Sequence, residues 1–168
     1  VLDVKRRKRK KIQQEIERII AEELRKVTAS GSTSFTSTPE ALALSEGFAT
    51  NKGKLPWPVA KGMVISKYGK QKHPVFSELE TFNNGIDIAT NRRSEVRAVF
   101  DGVVLSVLQF KGSNPTILIQ HGKYITAYKN LSKVYVEKGD KVFSNQNIGE
   151  VFTNNSTGKS TIQFSIFQ

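Results

Sequence analysis

The sequence predicts a mainly β fold: an antiparallel β sandwich or barrel-like domain preceded by an N-terminal amphipathic helix. Three observations carry that reading. Eight short segments rich in β-branched and aromatic residues succeed one another between residues 63 and 167. Turn-forming residues separate them, at Asp101-Gly102, Gly112-Ser113-Asn114-Pro115, Gly139-Asp140 and Asn154-Asn155. Ahead of them, apolar residues recur at helical spacing.

The helical stripe comprises Ile12, Ile16, Ile19, Ile20, Leu24 and Val27, with Glu15, Glu17, Glu22 and Glu23 interleaved among Arg18, Arg25 and Lys26. No helix of matching length follows it. It therefore reads as the end of a longer coiled coil or helical hairpin, or as a partner-binding helix. Residues 28–38 are rich in Ser, Thr and Gly and form a linker. Thr38-Pro39-Glu40 starts a second, short helix, with Thr as cap, Pro in the first position and an acid in the first turn. Ala41, Leu42, Leu44 and Phe48 give it an apolar face that must dock on something, because a helix over 39–48 is too short to stand alone. The strands are expected at Met63–Tyr68, Gly85–Ala89, Glu95–Phe100, Val103–Phe110, Thr116–His121, Tyr124–Asn130, Ile148–Phe152 and Thr161–Phe167. The chain thus divides into a helix over 1–28, a linker with its short helix over 29–54, and a β domain over 55–168.

Composition narrows the function. The 168 residues hold 26 Lys and Arg against 15 Asp and Glu, for a net charge of +11. Lys5 to Lys11 is an unbroken cationic run, but no aromatic residue is interleaved to stack on a base, so it reads as solvated helix surface and not as a nucleic-acid site. The absence of cysteine excludes a disulfide scaffold, a thiolate zinc site and a cysteine nucleophile. No apolar run approaches the ~20 residues that span a bilayer. The chain begins at Val1 without a visible signal peptide, and is expected to come from a longer protein. The two histidines, His73 and His121, fall in a loop and at a strand end. No Gly-x-Ser-x-Gly turn accompanies either, so a serine triad is excluded.

Residues 55–167 resemble the lysostaphin-type (LytM) peptidase domain, a zinc endopeptidase fold with a duplicated hybrid motif that cleaves peptidoglycan cross-bridges. The resemblance rests on blocks in the same order. Pro56-Trp57-Pro58 and Ser66-Lys67-Tyr68-Gly69 come first, followed by Asn84-Gly85-Ile86-Asp87-Ile88-Ala89 and Asp101-Gly102-Val103-Val104. The later blocks are Ile119-Gln120-His121-Gly122, Tyr128-Lys129-Asn130-Leu131-Ser132, Val136-Glu137-Lys138-Gly139-Asp140 and Gln163-Phe164. The family pattern carries His-x-Gly-x-Asp early, a His in the Tyr-x-His-Leu-Ser block, and His-x-His near the end. By that resemblance the three metal positions fall on Asn83, Asp87 and Gln163, and the two catalytic histidines on Asn130 and Thr161. Only Asp87 keeps its chemistry.

That substitution pattern has a chemical consequence. A catalytic zinc needs about three imidazole or anionic ligands and an open position for water. Amide oxygens are poor donors to so borderline-soft an ion. Neither Asn130 nor Thr161 exchanges a proton near neutrality, so acid–base catalysis is absent too. The expectation is a non-catalytic domain without a cofactor, with Asn83, Asp87, Asn130, Thr161 and Gln163 converging in one groove. Together with the helical segment, this resembles the murein hydrolase activators of the EnvC type. The resemblance implies a periplasmic regulator of cell division and daughter-cell separation. Its groove would grip the regulatory helix of a cell-wall amidase, and its upstream coiled coil would dock on a membrane division complex. Two alternatives stay open: a peptidoglycan-binding module, and a residual zinc metalloendopeptidase built on Asp87. For the helix 39–48 two placements are expected equally, as a restraint lying in the groove through Leu42, Leu44 and Phe48, or as a rigid connector outside it.

Overall fold

A computed structural model of the chain describes residues 39–72, 80–109 and 114–167, together with Val4, Arg7, Lys10, Lys11, Gln14, Glu15, Glu17, Arg18, Ala21 and Glu22. The chain divides into two compact units, Val1–Pro39 and Glu40–Gln168. In the first, the described residues from Val4 to Glu22 are helical. Arg18 donates from Nε to Glu15 Oε2 at 2.9 Å and from Nη2 to Oε1 at 3.1 Å, one turn apart on the helix surface. Those bonds hold the Glu15 carboxyl below the usual carboxylate range. The apolar stripe, the linker 28–38, Thr38 and His73 lie outside the described residues.

The second unit is built from one helix and twelve strands among its described residues: α1 (Pro39–Thr50), β1 (Met63–Ser66), β2 (Gly69–Lys72), β3 (Glu80–Asn83), β4 (Ile86–Thr90), β5 (Glu95–Arg97), β6 (Gly102–Leu108), β7 (Thr116–His121), β8 (Tyr124–Lys129), β9 (Leu131–Val134), β10 (Lys141–Val142), β11 (Asn147–Val151) and β12 (Ser160–Phe167). A seven-stranded antiparallel sheet runs in the order β1-β4-β12-β8-β7-β6-β10. A three-stranded sheet, β5-β11-β9, and a two-stranded ribbon, β2-β3, complete the fold. The mainly β, antiparallel expectation holds.

The sheets form because alternate residues on each strand are apolar and must be covered. Ile88 pairs with Ile162, and Phe164 with Tyr128, on one face of the large sheet. These side chains join Val96, Leu131, Ile148 and Val151 of the small sheet in one buried cluster. Polar groups inside this core are paired. Val99 N–H donates to the Tyr128 hydroxyl at 3.1 Å, and the Thr126 hydroxyl lies 3.1 Å from it. Burial pushes the Tyr128 phenol up to about 12. His121 Nδ1 lies 2.7 Å from the Asp101 carbonyl and so must carry the proton, leaving Nε2 to accept from Thr126 Oγ1 at 2.8 Å.

Helix α1 packs on that same core face. Phe48, 5% exposed, stacks on His121 at 5.0 Å and on Tyr124 at 4.9 Å, and meets Phe100 edge-on at 5.9 Å. Burying such a ring is worth about 1.5–3 kcal/mol. Ser45, also buried, accepts a bond from Lys123 N–H at 2.9 Å. Gly47 lets the helix approach, since a Cβ there would stand 3.1 Å from the Phe100 ring. The helix runs two residues beyond the expected Phe48 and ends where Thr50 Oγ1 and Asn51 Nδ2 bond the carbonyls of Glu46 and Gly47.

This placement corrects the restraint expectation for Leu42, Leu44 and Phe48. His121 and Tyr124 point to the face opposite Asp87 and Gln163, and Tyr124 begins the strand that Asn130 follows. Phe48 and Ser45 seat the helix on the core face, opposite to the face of Asp87 and Gln163. Leu42 is half exposed and takes no part in the buried face, because Ser45 and Phe48 point inward instead.

Several strands depart from expectation. Glu95–Phe100 shortens to β5 because Ala98 N–H leaves the ladder to donate to the Gln146 carbonyl. The ribbon β2–β3 and the short strands β9 and β10 carry too little apolar alternation to be read from sequence.

His121 makes the unit acid-sensitive. Burial lowers its pKa from 6.5 to about 4, so the unfolded chain takes up a proton that the folded one refuses between those values. Stability from this residue is complete above pH 6.5, falls as pH drops to 4, and is flat below; the loss is about 3 kcal/mol. Denaturant unfolding from pH 7 to pH 4 should show a shallower decline for His121→Asn than for the parent chain. Equal declines would contradict this.

Candidate functional site

β12 lies between β4 and β8, and its register builds the site. Gln163 is paired with Asp87 on one side and with Lys129 on the other, while Asp87 is paired with Ser66 on β1. Directly opposed residues of antiparallel strands share a face. Ser66, Asp87, Gln163, Lys129 and Thr161 therefore all stand on the face away from the core cluster.

Asn83 reaches this row from the end of β3. Its Nδ2 donates to Ser66 Oγ at 3.0 Å, and its Oδ1 accepts from Gln163 Nε2 at 3.3 Å and from Gly85 N–H at 3.2 Å. The turn from β3 into β4 can lie this close to β12 only with glycine at position 85. A Cβ there would meet the Phe164 carbonyl oxygen at 2.1 Å and Ser165 Oγ at 2.3 Å. Asp87 is half buried, with Oδ1 shielded from solvent and reached by no hydrogen bond, although the residue has other interactions.

Asn130 closes the other side. It adopts φ 73°, a left-handed conformation that Asn tolerates better than most residues, and so lets the chain leave β8 and enter β9 in the small sheet. Its Nδ2 donates to the Thr161 carbonyl at 2.7 Å, and its Oδ1 accepts from Asn114 Nδ2 at 2.7 Å. The structure thus brings Asn83, Asp87 and Gln163 together, with Thr161 two residues along the same strand and Asn130 strapped to its backbone.

This set does not fit a catalytic metal. Among the described residues no three of His, Cys, Asp and Glu gather in one place. Of the five residues set at this site Asp87 alone is an anion, and the two amides that flank it are engaged with each other. What the arrangement can do chemically is present a row of hydrogen-bonding groups. Sequence reasoning did not single out Ser66, Asn114 or Lys129 as members. Lys129 carried a signal: it continues the alternation of Ile125 and Ala127 along β8 as a cation on an otherwise apolar, buried face, and is itself 5% exposed.

Residues 81–168 match the profile of Peptidase family M23, and the chain belongs to that family. Among curated relatives it is 34% identical over 108 residues to the peptidoglycan DD-endopeptidase ShyA of Vibrio cholerae, covering 62% of this chain and 24% of that protein. It is 27% identical over 121 residues to the murein hydrolase activator EnvC of Escherichia coli, covering 71% of this chain and 27% of that protein. The chain thus spans about a quarter of the length of these relatives. A solved structure of a zinc-containing peptidase from Vibrio cholerae superposes with a TM-score of 0.56 at 31% identity, over 66% of this chain and 35% of that one.

Asn130 offers a direct test of the straps. Asn130→Gly keeps the backbone conformation and loses two side-chain bonds, and should lower unfolding free energy by about 1–3 kcal/mol. Asn130→Ala adds the left-handed penalty and should be about 1–2 kcal/mol less stable again. Denaturant titration of both variants measures the difference; a glycine variant as stable as the parent would show the straps contribute nothing.

Proposed function

We propose that this chain is a non-catalytic regulator that activates cell-wall amidases from the periplasm, in cell division and daughter-cell separation. One observation carries the reading: Asn83 and Gln163 bond each other where the family places metal-binding histidines. A domain whose site is closed by its own amides keeps the surface of a peptidase without its chemistry. The likeness to a murein hydrolase activator supports the reading, and no cofactor is required.

The partner surface lies beside the site. Met63, Ile65 and Tyr68 are exposed on or just after β1, the edge strand of the large sheet. A hollow of about 240 Å³ lined by Tyr68, Asn84, Gly85, Ile86, Phe164, Ser165 and Ile166 adjoins them. An apolar edge of this kind suits the amphipathic regulatory helix of an amidase. The N-terminal helical unit, continued upstream, would tether the domain to the membrane division complex.

The likeness to a peptidoglycan endopeptidase favours a second reading, hydrolysis of the cell wall by this chain itself. The donor set argues against it. Digestion of purified sacculi distinguishes these readings. With an amidase present, adding the chain should raise fragment release several-fold, and the chain alone should release none. Chelator-sensitive release by the chain alone would assign it as an endopeptidase. Tight binding to sacculi with neither effect would make it a peptidoglycan-binding module.

A further inference from the structure

Asn84-Gly85 is the single Asn-Gly step in the 168 residues, and it forms the turn between β3 and β4. Such a step carries a built-in reaction. With no Cβ on the following residue, its backbone nitrogen meets little steric hindrance on the way to the side-chain amide carbon. Once hydroxide has taken its proton, the Gly85 nitrogen attacks Asn84 Cγ. The N–Cγ bond forms, the Cγ–Nδ2 bond breaks, and ammonia leaves with a proton drawn from water. Water then opens the cyclic imide at one of its two carbonyls, giving aspartate or its isomer isoaspartate.

The fold opposes each requirement of that reaction. The Gly85 N–H is withheld from base, because it donates to Asn83 Oδ1 at 3.2 Å. Asn83 is itself fixed by Ser66 Oγ at 3.0 Å and by Gln163 Nε2 at 3.3 Å. Ring closure also needs the Asn84-Gly85 peptide to swing towards the Asn84 side chain. Gly85 is buried, and so tightly that an added Cβ would stand 2.1 Å from the Phe164 carbonyl oxygen and 2.3 Å from Ser165 Oγ. Asn84 is half-buried and has interactions of its own.

We propose that Asn84-Gly85 is a latent modification site, held back from imide formation by the bond from Gly85 to Asn83 and released when that bond opens. Its position gives the modification a consequence. Asn84 lines the hollow that it shares with Tyr68, Ile86, Phe164 and Ile166, so an acid there adds a negative charge to that surface. Isoaspartate would route the chain through one further carbon immediately before β4, whose register on β12 sets Asp87 opposite Gln163. The amides at the family's metal positions then have a task of their own, guarding the turn beside them. The inference stands apart from the identity of any partner.

Peptide mapping by mass spectrometry tests it, since exchange of the amide for an acid raises the mass of the Asn84 peptide. The chain is held in mildly alkaline buffer, both folded and in denaturant, beside the folded variants Asn83→Ala and Asn83→Asp. Asn83→Asp keeps the oxygen that receives the Gly85 N–H, whereas Asn83→Ala removes it. Asn83→Leu replaces the alanine variant should that fail to melt cooperatively. Asn84 should convert about tenfold more slowly in the folded parent than in denaturant, because the reaction waits for local opening. Asn83→Ala should convert about fivefold faster than the folded parent, and Asn83→Asp at the parent's rate. Equal rates in the folded and denatured parent, an alanine variant as slow as the parent, or an aspartate variant as fast as the alanine one would overturn the proposal.

Discussion

The pairing of β12 between β4 and β8 is the constraint on which the site depends. Because side chains alternate along a strand, one register decides at once which residues enter the core and which face the site. Ile88, Ile162, Phe164 and Tyr128 turn into the core cluster, and that obliges Asp87, Gln163, Thr161 and Lys129 to take the opposite face of the sheet. A slip by one residue would put a carboxylate and an amide into the core cluster in place of four large apolar side chains. The positions of the polar row are thus held by hydrophobic burial on the other face, and no metal is needed to keep them together.

Such a fold can persist without metal ligands at these positions. Where ligand residues in a metal site must be deprotonated and oriented, the residues here have become partners of one another. Asn83 bonds Ser66, Gln163 and the Gly85 amide, and Asn130 links Asn114 to the Thr161 backbone. Each bond is worth only about 1 kcal/mol net, but leaving those buried groups unmatched would cost more. The edge strand β1 and its exposed apolar side chains remain beside this patch, as a surface on which another protein can act.

Much of this was legible in the chain. Thr116–His121 was read with its exact bounds, because a buried strand flanked by Pro115 and Gly122 gives both a composition signal and a punctuation signal. The site residues were placed by the family resemblance, whose early pattern includes Gly85, a glycine whose role becomes physical once the carbonyl of Phe164 is seen to fill the place of a side chain. Other features carried no such signal. The ribbon strand Gly69–Lys72 is polar and held by one neighbour, so periodicity could not reveal it. The inward turn of Ser45 in place of Leu42 depends on a backbone amide at Lys123, nearly eighty residues away, which no local pattern encodes. Lys129 stood within a recognised block, yet its burial comes from strand neighbours that only the sheet order specifies.

The proposed non-catalytic reading requires that the fold of this M23 domain stand on sheet register and internal hydrogen bonds and gain nothing from a metal ion. Thermal unfolding of the chain in excess chelator and in rising zinc tests it most directly, because any ligand that binds only the folded state must raise the melting temperature with its concentration. The account predicts one melting temperature throughout. A melting temperature that climbs steadily with zinc and falls on chelation would contradict it.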